Sequence, residues 1–569
     1  MSALVAQRAV VLGQASRRPA CQRHHPFTPC KQSPLAARSW RRVACQSAEN
    51  SRVEVATADA PVSNGVVQNG AEPQQAMQAS NGTAAAAVAA TPAPPAQVGV
   101  KIQPALIAVG LGLALRFLVP IPAGITAQAW SLLSIFVSTI LGLVLDPLPV
   151  GAWAFMAVTV AVATKTLTFA EAFAATTNEI IWLIVVSFFF AKGFEKTGLG
   201  ERIATLFVRA LGHSTLGLSF GLNVAEALMA PAMPSTSARA GGIFVPIIKS
   251  LAATAGSHPG DDSRHKMGAY LINSQFQTGI HSTSFFLTAS AQNLLCLKLA
   301  GELGAVVPNQ FMTWAAGAFV PAAVGMVLTP LVLYKMQPPT IKDTPDAPAA
   351  AAERLKAMGP MSRDETIMAA TMGAALVMWM FGEQLGITPV LAAMLGLCGL
   401  LCTGVLTWRE CLSYTPAWDT LCWFAVLIGM SGQLNSMGVI SVFAQAMGKL
   451  LTSLNMGWMP LFGLLHVAFY GIHYMFASQT AHVGALYSAF CAMMLAAGVP
   501  PVLAAMSLAY SINLFGSISH YASGQAAVFY GSGYLRLNEV FGMGAVCGWG
   551  GLAIWAVVGM PIWKMLGWW

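Results

Sequence analysis

Three hydroxyl residues and an arginine interrupt an apolar run at Ser235-Thr236-Ser237-Ala-Arg239, and Ser478-Gln479-Thr480-Ala-His482 does the same further along the chain. Ser and Thr at a break can cap the helix that follows and turn a hydroxyl toward a carboxylate. The helix start itself draws an anion through its unpaired N–H groups and its dipole. Arg239 and His482 each stand four residues after the first serine of their motif. That spacing puts each of them one turn into its helix, on the side of that serine. Two such starts facing each other would hold the two ends of a dicarboxylate. Arg239, a fixed cation, and His482, a titratable one, would balance its charge. The competing readings are that the hydroxyls only join helices and that Arg239 snorkels to a headgroup.

A second pair of polar interruptions accompanies the first. "HSTSFFLTASAQN" (281–293) carries Ser282, Thr283, Ser290, Gln292 and Asn293; "NLFGSISHYASGQ" (513–525) carries Asn513, Ser517, Ser523 and Gln525. These are hydroxyl and amide groups without a carboxylate, suited to hydrogen-bonding a substrate and closing the break. His281 and His520 read as packing residues. His466 and His473 are seven apart and lack a third ligand, so no metal site is expected. With no GxSxG, HExxH or P-loop, the chain reads as no enzyme, with no catalytic residue and no cofactor.

Such groups need elements to position them, and composition names the solvent of those elements. The 569 residues are 56% apolar and 9% charged, where a soluble domain carries about 25% charged residues. Apolar spans fall near 103–121, 127–145, 150–168, 179–198, 311–336, 366–384, 388–408, 419–440 and 541–566, with interrupted stretches at 215–250, 268–300, 458–495 and 502–535. The expectation is an all-α polytopic membrane protein. The net charge of +8 comes from residues 1–48, which hold seven Arg, one Lys and no acid; the rest is near neutral, which removes the case for nucleic-acid binding. That segment reads as a plastid transit peptide (1–48), followed by a disordered linker (49–100) rich in Ala, Pro, Gly and Gln. The cysteines outside the basic segment read as buried thiols.

The order of events repeats on either side of a polar linker, 337–365, dividing the chain into a first membrane repeat (101–336) and a second (366–569). "NEIIWLIVV…EKTGLG" matches "WDTLCWFAVL…NSMGVI", "PSTSARAGG" matches "ASQTAHVGA", and "TASAQNLL" matches "YASGQAAV". Duplicated membrane halves broken at corresponding places are the mark of secondary transporters, whose site lies where the broken helices meet. An odd number of crossings per half would invert one against the other.

"MPSTSARAGGIFVPI", "FASQTAHVGAL", "HYASGQAAVFYGSGY", "AWDTLCWFAVLIGM" and "DTPDAP" resemble the divalent anion/sodium symporter family, and within it the plastid dicarboxylate translocators. The resemblance implies inverted repeats with re-entrant hairpins, an elevator-type transporter with scaffold and transport domains, and a homodimer in the lipid bilayer of the chloroplast inner envelope. It also implies 2-oxoglutarate/malate antiport, with glutamate/malate exchange or sodium-coupled symport as alternatives, and succinate, fumarate and oxaloacetate as further substrates. The family's Ser-Asn-Thr motifs read Ser235-Thr236-Ser237 and Ser478-Gln479-Thr480 here. Its Thr-Pro-Pro-Asn-like breaks read Ser290-Ala291-Gln292-Asn293 and Ser523-Gly524-Gln525-Ala526. These departures remove groups that shape sodium sites, so Arg239 and His482 are expected to stand in for two sodium ions and leave an empty carrier positively charged.

Overall fold

A computed structural model describes residues 99–569, and the transit peptide and linker expected at 1–48 and 49–100 lie outside the described residues apart from Gly99 and Val100. Among the described residues the chain is helical and has no strand. Among the described residues three helices are long and apolar enough to cross a membrane: Ala127–Leu145, Gln310–Met336 and Leu537–Met565. Two bent pairs, Phe169–Thr177 with Glu179–Thr197 and Thr415–Ser436 with Val439–Leu451, pass the same test when each is taken as one span.

The repeat in the sequence is a repeat of elements. Helix Thr215–Met229 leads through a 3-10 turn, Ala230–Ala232, into an extended break, and a new helix starts at Thr236–Arg239. A π turn at Ala240–Phe244 then carries it into Val245–Thr254. The second half has Trp458–Ile472, His473–Met475, Gln479–His482, Val483–Tyr487 and Ser488–Ala496. Each of these five elements begins 243 residues after its counterpart. Each hairpin turns because the segment before the tip cannot continue as helix: Pro231 and Pro234 punctuate the first, and in the second the backbone turns extended at Phe476. The second breaks match as well. Gly268–Ser284, Leu287–Ala289 and Ala291–Glu302 recur as Pro501–Leu514, Phe515–Ser517 and Gly524–Tyr530.

Two glycines show why the local sequence permits this. Gly198 and Gly438 end matching helices with φ of 76° and 79°, a left-handed conformation that costs any residue with a Cβ. Short helices Phe169–Phe173 and Trp408–Ser413 each open on a complete capping box, Thr168 with Glu171 and Thr407 with Glu410. Lys196 donates to Glu410 across the halves and, with the Thr407 bonds, brings its carboxyl down to about 2.

The polar stretch 337–365 contains a helix, Asp346–Met358. Arg354 pairs with Glu201 at 2.6 Å, and Arg202 pairs with Glu365 at 2.6 Å while donating to the Gly359 carbonyl. The connection is therefore clamped to helix Leu199–Leu211. Of the seven described cysteines, Cys296, Cys411, Cys491 and Cys547 are buried and Cys422 is partly so. Cys398 and Cys402 are exposed, which corrects the expectation of buried thiols. They lie on the outward face of Pro389–Cys402 beside exposed Leu391 and Leu395, and a thiol is apolar enough to serve on such a face.

Candidate substrate-binding site

The serines that open the hairpin helices act as caps. Ser235 Oγ accepts from the Ala238 N–H at 3.2 Å and Ser478 Oγ from the Ala481 N–H at 3.4 Å. Ser523 caps the last break through the Ala526 N–H at 3.2 Å and donates to the Gly516 carbonyl. Ser290 differs. It bonds the side-chain oxygen of Gln292 and makes no cap bond.

The tip of the first half meets the break of the second. Thr236 donates to Gln525 Oε1 at 2.5 Å. Gly524 lies so close to Ser237 that a Cβ on it would sit 2.2 Å from the Ser237 hydroxyl oxygen. Gln479 donates to the Ile512 carbonyl at 2.6 Å and packs over Gly516, as does the Gln525 amide. Asn513 donates to Asn293 Oδ1 at 2.8 Å, and Asn293 reaches back to the Phe286 carbonyl. Ser517 donates to Gln277 Oε1 at 2.7 Å, and the Gln277 amide donates to the Ser517 carbonyl. Ser282 and Thr283 bond the Gly279 carbonyl in their own helix. Much of the second pair of breaks is thus committed to joining the halves.

Two hydroxyls are left. Ser237 and Thr480 occupy the same third position of their motifs; both are part-exposed, and among the described residues neither hydroxyl has a hydrogen-bond partner. Each sits in the first turn of a helix whose opening N–H groups have no intrahelical partner. These are anion donors of matched chemistry, one per half.

Arg239 is fully buried. Its guanidinium donates to the Met233 carbonyl, to the Ala289 carbonyl at 3.0 Å and to Thr283 Oγ1 at 3.0 Å. The two carbonyls belong to the chain just before each break of the first half. A fourth oxygen comes from Glu226, 3.5 Å from Nε, and Gln275 donates to the other Glu226 oxygen at 2.5 Å. This corrects the expected net positive charge at Arg239: the carboxylate matches it. Nor does the side chain snorkel, since it is enclosed.

His482 is also fully buried, within ring contact of Phe469, Phe476 and Phe515. Its Nδ1 lies 3.1 Å from Nδ1 of His473, whose Nε2 lies 2.9 Å from the Ala522 carbonyl. Ala289 and Ala522 immediately precede Ser290 and Ser523, so both halves place a nitrogen base on the carbonyl before the break. Arg239 does this in the first half; in the second His473 does, and His482 stands behind it.

Sequence reasoning missed Glu226, Gln275 and Gln277 and did not connect His473 with His482. The signal for Glu226 was present: a single acid in the apolar run "TLGLSFGLNVAEALM", since an acid at membrane depth is costly unless paired. His281 packs as expected, accepting from Trp555 Nε1 at 3.3 Å over Gly325. His520 packs among Tyr521, Tyr530 and Phe541.

Comparison with known proteins places this arrangement. The family model described as sodium:sulfate symporter transmembrane region matches residues 101–569. "Dicarboxylate transporter 2, chloroplastic" of Spinacia oleracea is 58% identical over 83% of this chain and 84% of its own length. "Dicarboxylate transporter 1, chloroplastic" of Arabidopsis thaliana is 48% identical over 84% of this chain and 86% of its own. The crystal structure of the Alcanivorax borkumensis YdaH transporter aligns with a TM-score of 0.50 and 13% identity, over 82% of this chain and 98% of that one, and shares the fold. The chain belongs to the sodium:sulfate symporter transmembrane family, a family of transporters, and within it resembles the chloroplast dicarboxylate transporters.

Proposed function

We propose that this chain is a sodium-independent antiporter of the chloroplast inner envelope that exchanges 2-oxoglutarate for malate. The observation that carries the reading is the pair of unbonded hydroxyls, Ser237 and Thr480, at matched helix starts in the two halves. A dicarboxylate presents one carboxylate to each. The names of its relatives as chloroplast dicarboxylate transporters support the substrate class and the organelle.

Sodium independence rests on the oxygens around Arg239. The carbonyls of Met233 and Ala289, the Thr283 hydroxyl and the Glu226 carboxylate form the kind of oxygen set that binds a hard cation, and the guanidinium fills it. Exchange follows from the tips. With Arg239 neutralised by Glu226, the empty site still holds two helix starts, each with about half a positive charge, and two unbonded hydroxyls. Carrying these through a low-dielectric barrier without an anion is unfavourable. On the elevator reading, loading either dicarboxylate on either side removes that barrier.

The test is counter-exchange in proteoliposomes. Labelled 2-oxoglutarate is expected to enter only vesicles preloaded with malate, at the same rate in sodium and in choline. Uptake into empty vesicles, or loss of uptake in choline, would refute it. A second reading, glutamate/malate exchange, draws on one observation: Glu226 is a buried carboxylate beside the first tip, the group an ammonium would need. Competition by glutamate against labelled 2-oxoglutarate separates the two.

A further inference from the structure

The second half answers Arg239 with two histidines, and their hydrogen bonds fix where protons sit. A carbonyl only accepts, so the 2.9 Å contact with Ala522 requires N–H on His473 Nε2. With that ring neutral, its Nδ1 carries a lone pair. The 3.1 Å contact then requires N–H on His482 Nδ1. His482 Nε2 is left as a bare lone pair, and it is buried with no hydrogen-bond partner. The chain Ala522 carbonyl, His473, His482 therefore ends on one buried, unpaired lone pair.

The surroundings hold nothing else to supply charge. Between Lys449 and Arg536 the sequence has no Asp, Glu, Lys or Arg. Helix Ala127–Leu145, which packs against Gln479–His482, has none either. The rings facing the pair are Phe469, Phe476 and Phe515. Of the other titratable groups on the packed elements, the Tyr470 hydroxyl bonds the Leu514 carbonyl and the Tyr521 hydroxyl the Tyr474 carbonyl, while His466 bonds the Phe462 carbonyl through Nδ1 and keeps an unpaired Nε2 on helix Trp458–Ile472. Tyr487 donates to the Ala505 carbonyl. His520 lies against Tyr530 and Phe541, and Cys491 is a buried thiol.

We infer that His482 Nε2 takes up one proton from water when a dianion loads, and that His473 is the positioning residue that selects this tautomer. A carboxylate of the dianion at the second tip creates a negative potential among apolar rings, and of the unpaired buried imidazole nitrogens His466 Nε2, His520 Nδ1 and His482 Nε2, only the last belongs to the tip helix itself. The proton forms an N–H bond on Nε2 as the anion enters, and that bond breaks to return the proton to water as the anion leaves. The first half offers no matching lone pair, since its basic group is a guanidinium already paired with Glu226. This deepens the dicarboxylate reading and rests on it.

Calorimetric titration of malate into the purified full-length protein tests it, at a pH where malate is already a dianion, in buffers of differing ionisation enthalpy. The parent is expected to take up about one proton per malate. His482→Gln should take up none. His473→Gln can keep both bonds, with its amide on Ala522 and its oxygen on His482, and should retain the uptake. His473→Phe cannot, and its uptake should fall by at least half while malate still binds. Binding heat that is equal in all buffers for the parent overturns the inference and leaves the transport reading intact. Unchanged uptake in His482→Gln overturns it too; should that variant not bind, unchanged uptake in His473→Phe does so. Absence of any heat with malate removes the dicarboxylate reading, and this inference with it.

Discussion

Arg239 and Glu226 show how one residue changes the meaning of another. A buried pair is weak evidence of stability, but removing one partner leaves a bare charge and costs about 3–5 kcal/mol. Glu226→Gln is therefore expected to lower the melting temperature of the detergent-solubilised protein sharply, while the double variant Glu226→Gln with Arg239→Gln recovers part of the loss. A melt of the single variant at the parent temperature would show that the pair carries no such burden. The position of Arg239 beside a break was legible from its spacing to Ser235. Its neutral pairing was not, because Glu226 sits in a different helix and only the fold brings it within 3.5 Å. The same holds for His473 and His482, nine residues apart in sequence across a break whose geometry the sequence does not specify.

At the scale of elements, the caps were readable and the partners were not. Ser235, Ser478 and Ser523 cap helices as their residue type suggests. Ser290 looks the same in sequence but is drawn to Gln292, a local competition that propensity does not rank. The contact between the first tip and the last break depends on Gly524 having no side chain. Gly524→Ala would place a Cβ 2.2 Å from Ser237 Oγ, so the Ser237 hydroxyl must turn away from its present position at the tip. Dicarboxylate exchange is expected to fall at least tenfold, about 1.4 kcal/mol, with the melting temperature little changed because Gly524 is exposed. Wild-type exchange rates would mean the tip has room that this arrangement denies it. The polar linker hid a helix for a plain reason: "DAPAAAAERLKAM" has little apolar periodicity, and its two arginine clamps reach to other elements.

For the whole molecule, the duplicated order of broken helices was legible because Gly, Ser and Pro punctuate both halves alike. How the halves interlock was not, since it runs through side-chain pairs 220 to 289 residues apart: Asn293 with Asn513, Gln277 with Ser517, Thr236 with Gln525. Such bonds make the halves unfold together. Asn513→Leu leaves the buried Asn293 oxygen without its donor and costs about 1–3 kcal/mol; the melt is expected to shift down as one transition. Two separate transitions would mean the halves are held apart energetically. The π turn after each hairpin tip, at Ala240–Phe244 and at Val483–Tyr487, bears on descent. A bulge kept at the same step in both copies was present before they diverged, so the ancestral half-length gene already encoded it. Because the first tip now also closes on the last break through Thr236 and Gln525, that ancestor could make the same contact only by pairing with its own twin. Fusion then freed each copy to diverge at the carbonyl before its break, to a guanidinium–carboxylate pair in one and a pair of imidazoles in the other.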